Sequence, residues 1–203
     1  MKLNLPNKIT ISRIILIPLV IFFYLANFIP YNIGKFVALF VFMLAAYTDH
    51  LDGYLARKNN QVTNLGKFLD PIADKLLVFG ALILICVDGT VPRIFAELVL
   101  FIMMARDFIV SALRQVAATN NVVISADKWG KLKTVLQDVA ISVLLAYSAM
   151  IGLVEIQLLL EIFKWTGYSV LGLATIVSII SGINYCVKNK QVLLDKGEEN
   201  GRQ

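Results

Sequence analysis

The chain has 203 residues, of which 58% are hydrophobic and 16% charged, with a formal net charge of +5 and a mean hydropathy of +0.75. Soluble domains carry about 25% charged residues, so this composition excludes an ordinary soluble protein and points to a single all-α domain that crosses a membrane repeatedly. The basic residues form no continuous stripe, which argues against nucleic acid as a partner.

Six apolar segments follow in chain order, at 8–28, 33–57, 65–87, 92–118, 126–153 and 158–187, and each is predicted to be a transmembrane helix. The breaks between them hold Pro, Asn, Gly or charge, which are ordinary helix stops. The first segment opens on "NLPNKITISRIILIP", where Asn7, Thr10 and Arg13 recur at three-residue steps. These residues either turn a polar side toward a site near one membrane face or form an interfacial cap with a snorkelling Arg13. Pro18 is expected to kink this helix. The segment lacks a small-residue cleavage site and reads as a retained helix, not a signal peptide. Cys86 and Cys186 fall inside apolar segments and read as buried free thiols. From about residue 188 the chain is a polar tail, and 1–203 reads as one membrane-embedded domain.

Lys and Arg divide unevenly between the two ends of these segments. Lys2, Lys8, Arg13, Arg57, Lys58, Lys67, Arg114, Lys128, Lys131, Lys133, Lys188, Lys190, Lys196 and Arg202 fall on one side. Only Lys35, Arg93 and Lys164 fall on the other. This bias predicts that both termini are cytoplasmic.

The join between the second and third segments reads "YTDHLDGYLARKNNQVTNLGKFLDPIADKL". Asp49 and Asp52 lie at i and i+3, and Asp70 and Asp74 at i and i+4, so each pair shares a helix face. A short loop makes the two segments a hairpin, which can bring the faces together. Asp49 lies eight residues before Arg57, and Asp74 eight after Gly66. Both carboxylates therefore sit about 12 Å inside their helix ends. Carboxylates at that depth need partners: protons, the nearby Arg57, Lys58, Lys67 and Lys75, or metal ions. An all-oxygen cluster suits Mg²⁺, Mn²⁺ or Ca²⁺; two divalent ions would balance four carboxylates, an arrangement that can clamp phosphate oxygens. Gly53 and Ala56 lie near the Asp49 face and leave room for a flat ligand, although small residues also serve plain helix packing. Arg57 can reach a phosphate with its planar fork. Gly66 lets the two helices approach. His50, one position from Asp49, points elsewhere and is not expected to be a ligand.

Together Asp49, Asp52, Gly53, Ala56, Arg57, Gly66, Asp70 and Asp74 spell Asp-x2-Asp-Gly-x2-Ala-Arg-x8-Gly-x3-Asp-x3-Asp without departure. This resembles the signature of the CDP-alcohol phosphatidyltransferase family, whose six-helix membrane architecture also matches the segment count. The resemblance implies transfer of a phosphatidyl group from a CDP-linked lipid to an alcohol, with release of CMP. It implies two divalent metal ions, Mg²⁺ or Mn²⁺, held by Asp49, Asp52, Asp70 and Asp74, with Asp74 as general base, metal ligand or both. It also implies a homodimer in the cell membrane with its site facing the cytoplasm. The CDP-lipid is expected along Asn7, Gly53, Ala56, Arg57 and Gly66.

The acceptor is read from charges elsewhere. Arg106 and Asp107 interrupt "LVLFIMMARDFIVSALRQ". Arg106 lies eight residues before Arg114, hence about 12 Å from a cytoplasmic helix end, and Lys131 and Lys133 open the fifth segment. An Arg106–Asp pair could simply tie helices together. With metals on the aspartates, however, surplus cations suit a phosphate on the acceptor, and Thr10, Arg106, Arg114, Lys131 and Lys133 are the expected contacts. "NLPNKITISRIILIP" and "WGKLKTVLQ" are similar to the family's bacterial branch that uses sn-glycerol 3-phosphate. The expected reaction is CDP-diacylglycerol plus sn-glycerol 3-phosphate giving phosphatidylglycerol phosphate and CMP, in phospholipid biosynthesis. Rival readings are another acceptor (inositol phosphate, serine, glycerol or a phosphatidyl lipid), a cation- or proton-coupled transporter, and a structural lipid-binding protein. The off-centre cluster and the lack of an inverted repeat disfavour transport.

Overall fold

In the computed structural model the described residues are 5–26, 29–58, 64–119, 124 and 128–190, with side chains for all of these except 5, 6, 31, 49–58, 64, 65, 67 and 68. Six helices account for nearly all of them: α1 (Leu5–Leu25), α2 (Tyr31–Lys58), α3 (Asn64–Val87), α4 (Arg93–Thr119), α5 (Lys128–Met150) and α6 (Gln157–Lys188). Each matches an expected apolar segment to within a few residues, because each segment is bounded by residues that stop a helix. α1 runs unbroken through Pro18. α3 ends at a turn where Gly89 has φ +72°, and the turn after α5 places Gly152 at φ +82°, a left-handed conformation that glycine adopts without a Cβ penalty. That turn stops α5 short of the expected residue 153.

Short connections make most successive helices antiparallel neighbours, α4 and α5 excepted. α1 lies along α2 and α5 along α6, α3 touches α1, α2, α4 and α5, and α4 and α2 pack on α6 and α5 respectively. Small residues permit these approaches. A Cβ on Gly34 would come 2.5 Å from the Phe23 carbonyl oxygen of α1, and one on Gly167 would come 2.5 Å from Leu144 Cδ2.

The centre of the bundle is apolar. Phe42, Met103, Ile141, Leu144, Leu145 and Leu171, drawn from α2, α4, α5 and α6, are sealed from solvent. Large apolar side chains are exposed on all six helices, among them Ile15, Phe40, Ile83, Phe101, Val139 and Ile176. A surface of that kind is stable in lipid, and the chain is a membrane protein. By length and apolar composition, three helices among the described residues suffice to cross a bilayer: Asn7–Leu25, Lys128–Met150 and Gln157–Lys188. Asn32–Thr48 of α2 is a shorter apolar stretch, and α3 and α4 carry charges within their apolar runs: Asp70, Asp74 and Lys75 on α3, Arg106 and Asp107 on α4.

Two polar clusters occupy opposite ends of this bundle. One joins the end of α1 and the start of α2 to the ends of α3 and α5. There Lys35 Nζ donates to Asp88 Oδ2 at 2.8 Å and to Ser148 Oγ at 2.6 Å. Tyr24, Thr90 and Ser148 hydroxyls donate to the same Asp88 oxygen at 3.0, 2.8 and 2.7 Å. Tyr168 on α6 donates to the Thr90 carbonyl at 2.8 Å. Lys35 is buried, so it belongs to the interior, not to a loop as its place in the charge count assumed. The other cluster surrounds a cavity.

Candidate active site

The cavity, of about 330 Å³, lies between α3, α4, α5 and α6. α3 contributes Asp70 and Asp74, whose i, i+4 spacing puts both carboxylates on the face turned to it, with Pro71 and Lys75 beside them. α4 contributes Arg106, Asp107, Ser111 and Arg114, again at helical spacing. α5 contributes Gly130, Lys131, Lys133, Thr134 and Gln137, and α6 contributes Tyr185. The window aspartates of α3 and the four distant cations picked out from the sequence thus line one chamber.

The lining has a positive excess. Lys75, Arg106, Arg114, Lys131 and Lys133 stand against Asp70, Asp74 and Asp107 among the described lining residues. Several of these cations are held in place. Asp107 accepts from Arg106 Nη1 at 3.0 Å through one oxygen and from Lys133 Nζ at 2.7 Å through the other. Arg106 also donates to Ser181 on α6. Arg114 Nε donates to the Tyr185 hydroxyl at 3.0 Å and stacks over that ring. Lys75 donates to Ser111 Oγ at 2.6 Å and lies over the Phe108 ring. Arg106 pairs with Asp107, its neighbour on α4, so that pair ties no helices together; it reaches α6 through Ser181 and lines the cavity as well.

The polar residues of α1 are settled by burial. Asn7, Thr10 and Arg13 are 5%, 1% and 0% exposed, so Arg13 does not snorkel at an interface. Thr10 Oγ1 donates to Asp70 Oδ1 at 2.7 Å and is not among the cavity-lining residues. It was expected to contact the acceptor phosphate; in the structure its hydroxyl lies on the Asp70 carboxylate. Asn7 and Gly66 are buried and also stand outside the lining. Asp49, Asp52, Gly53, Ala56 and Arg57 belong to the last turns of α2, but their side chains, like that of His50, lie outside the described residues.

Asp70 and Asp74 offer only oxygen donors, the chemistry that hard divalent cations take, and the Thr10 hydrogen bond occupies one Asp70 oxygen. Among the described residues no group of three possible metal ligands gathers, as Asp49 and Asp52 lie outside them. The oxygen donors of Asp70 and Asp74 suit a divalent ion. Sequence reasoning missed Asp107 as a bridge, and missed Ser181 and Tyr185 altogether; the one available signal was a charged Asp107 in an apolar run.

A family model described as CDP-alcohol phosphatidyltransferase matches residues 3–182. The chain is 40% identical over 183 residues to a CDP-diacylglycerol–glycerol-3-phosphate 3-phosphatidyltransferase of Rickettsia typhi, covering 90% of this chain and 94% of the relative. It is 37% identical to the Bacillus subtilis protein of the same name, covering 94% and 97%. The Haemophilus influenzae protein of that name is 39% identical, covering 96% and 98%.

Proposed function

The chain belongs to the CDP-alcohol phosphatidyltransferase family, and we propose that it is a phosphatidylglycerophosphate synthase working as one domain over 1–203. It moves the phosphatidyl group of CDP-diacylglycerol to sn-glycerol 3-phosphate and releases CMP. The observation that carries this reading is the shared cavity, in which Asp70 and Asp74 face Arg106, Arg114, Lys131 and Lys133, with more cations than carboxylates among the described lining residues.

The mechanism divides between two halves of the site. Asp49, Asp52, Asp70 and Asp74 would hold two Mg²⁺ or Mn²⁺ ions, which when bound neutralise and polarise the donor's diphosphate. Arg57 pairs with the same diphosphate, and Asn7, Gly53, Ala56 and Gly66 shape the space for the CDP group. Thr10 fixes the orientation of the Asp70 carboxylate. Arg106, Arg114, Lys131 and Lys133 bind the acceptor's phosphate and aim its primary hydroxyl at Asp74. Asp74 accepts the hydroxyl proton, the freed oxygen bonds to the lipid-side phosphorus, and the bond from that phosphorus to CMP breaks. The six helices span the cytoplasmic membrane with both termini and the cavity on the cytoplasmic side. Removing Lys35 from the loop charges strengthens that orientation. A homodimer is the working assembly.

Transport fits less well. On α5, Ile141, Leu144 and Leu145 are fully buried between Gln137 of the cavity and Ser148 of the Lys35 cluster. This buried apolar stretch of α5 separates the two polar ends.

The test is CMP release by purified protein in detergent with CDP-diacylglycerol and Mg²⁺ or Mn²⁺. Release on adding sn-glycerol 3-phosphate, lost in EDTA and restored by metal, is the expected result. Equal release with glycerol or serine would overturn the acceptor, and full turnover in EDTA would overturn the metal site.

A further inference from the structure

We infer that Ser181 and Gly182 on α6, together with Asp107 on α4, are positioning residues for the acceptor phosphate: they seat the Arg106 guanidinium and tie it to Lys133. The inference rests on the assignment of this cavity to the phosphorylated acceptor and goes beyond it, because none of these three residues is needed to bind the phosphate directly.

Arg106 is a long side chain that crosses from α4 toward α5 and α6, and three features hold it there. Ser181 Oγ accepts from Nη2 at 2.5 Å, and Asp107 Oδ1 accepts from Nη1 at 3.0 Å. Asp107 then uses its second oxygen for Lys133 Nζ at 2.7 Å, so one carboxylate spaces two cations from two helices. The third feature is a slot. A Cβ on Gly182 would come 2.9 Å from Arg106 Cγ and 3.8 Å from its Cβ, and one on Gly130 would come 3.2 Å from Nη2. Cγ lies near the rigid root of the side chain, so an alanine at 182 displaces the whole arginine rather than its tip.

The seat leaves the guanidinium able to work. A guanidinium has five N–H groups, and the Asp107 and Ser181 bonds use two of them. Nε is buried without a partner, while the side chain lines the cavity. A flexible arginine loses rotamer freedom when it grips a phosphate; one already seated loses less, and so binds better for the same contacts. The Asp107–Lys133 bridge already ties α4 to α5, while Arg106 both reaches Ser181 on α6 and lines the cavity.

The experiment is steady-state kinetics of the full-length protein with each substrate varied in turn, on Arg106→Gln, Ser181→Ala, Ser181→Thr and Gly182→Ala. Arg106→Gln should raise the KM for sn-glycerol 3-phosphate about ten- to a hundredfold. Ser181→Ala and Gly182→Ala should raise it about two- to tenfold, with the KM for CDP-diacylglycerol unchanged. Ser181→Thr keeps the hydroxyl and should return the acceptor KM to near the wild-type value. If Gly182→Ala does not fold, the Ser181 pair decides. An acceptor KM that moves in Arg106→Gln but stays at the wild-type value in Ser181→Ala overturns the positioning role and leaves the acceptor site standing. An acceptor KM unmoved in Arg106→Gln itself removes the acceptor site, and the positioning role with it.

Discussion

The two polar ends of the bundle solve opposite problems with similar residues. At the Lys35 end, among the described residues, one cation meets one carboxylate, and Tyr24, Thr90 and Ser148 donate to the same Asp88 oxygen. Lys35 is 2% exposed and Asp88 14%. At the other end, among the described residues, five cations and three carboxylates line a cavity of about 330 Å³. A buried charge in a membrane protein is therefore not by itself a sign of catalysis. Balanced and closed, it holds helices together; unbalanced and open, it binds an ion of opposite sign.

That contrast is easiest to break by neutralising one charge at each end. Asp74→Asn at the open end keeps the shape and removes the base, and should lower kcat about 10²- to 10⁴-fold with the melting temperature retained; CMP release and a thermal melt in detergent read both. Lys35→Met at the closed end should do the reverse. Breaking a buried pair and leaving Asp88 without its cation should cost about 3–5 kcal/mol of stability, seen as a fall in melting temperature, with both KM values unchanged in the protein that remains folded. If Lys35→Met shifts a KM instead, the two ends are coupled and the division fails.

Thr10→Val gives a smaller and sharper test within the open end. Losing one hydrogen bond should cost about two- to tenfold. Because the Thr10 hydroxyl sits on Asp70, the loss should appear in kcat and in the Mg²⁺ concentration needed for activity. A change confined to the acceptor KM would return Thr10 to the phosphate contacts first expected of it.

How much of this was legible depends on sequence distance. The helices were legible because apolar runs and their stops are local; α3 was expected over 65–87 and runs Asn64–Val87. The pairing of Asp70 with Asp74 was legible because four residues make one helical turn. The convergence of Arg106, Arg114, Lys131 and Lys133 could be guessed from depth alone. What could not be read are bonds between residues far apart in the chain. Thr10 reaches Asp70 across 60 positions, Lys35 reaches Asp88 across 53, and Arg106 reaches Ser181 across 75. Nothing local marks such partners, since a serine or glycine in an apolar helix serves packing equally well. Lys35 was misplaced for the same reason: by position it looks like a loop charge, and only Asp88 explains its burial.

The central claim is that the uneven end, and not the balanced one, receives a phosphorylated acceptor. Calorimetric titration of the purified protein in detergent, without the lipid donor, tests it directly. The account predicts that sn-glycerol 3-phosphate binds wild type and Lys35→Met alike, that Arg106→Gln weakens it about ten- to a hundredfold, and that glycerol gives no measurable heat. Glycerol binding as tightly as its phosphate, or Arg106→Gln binding as well as wild type, would contradict it.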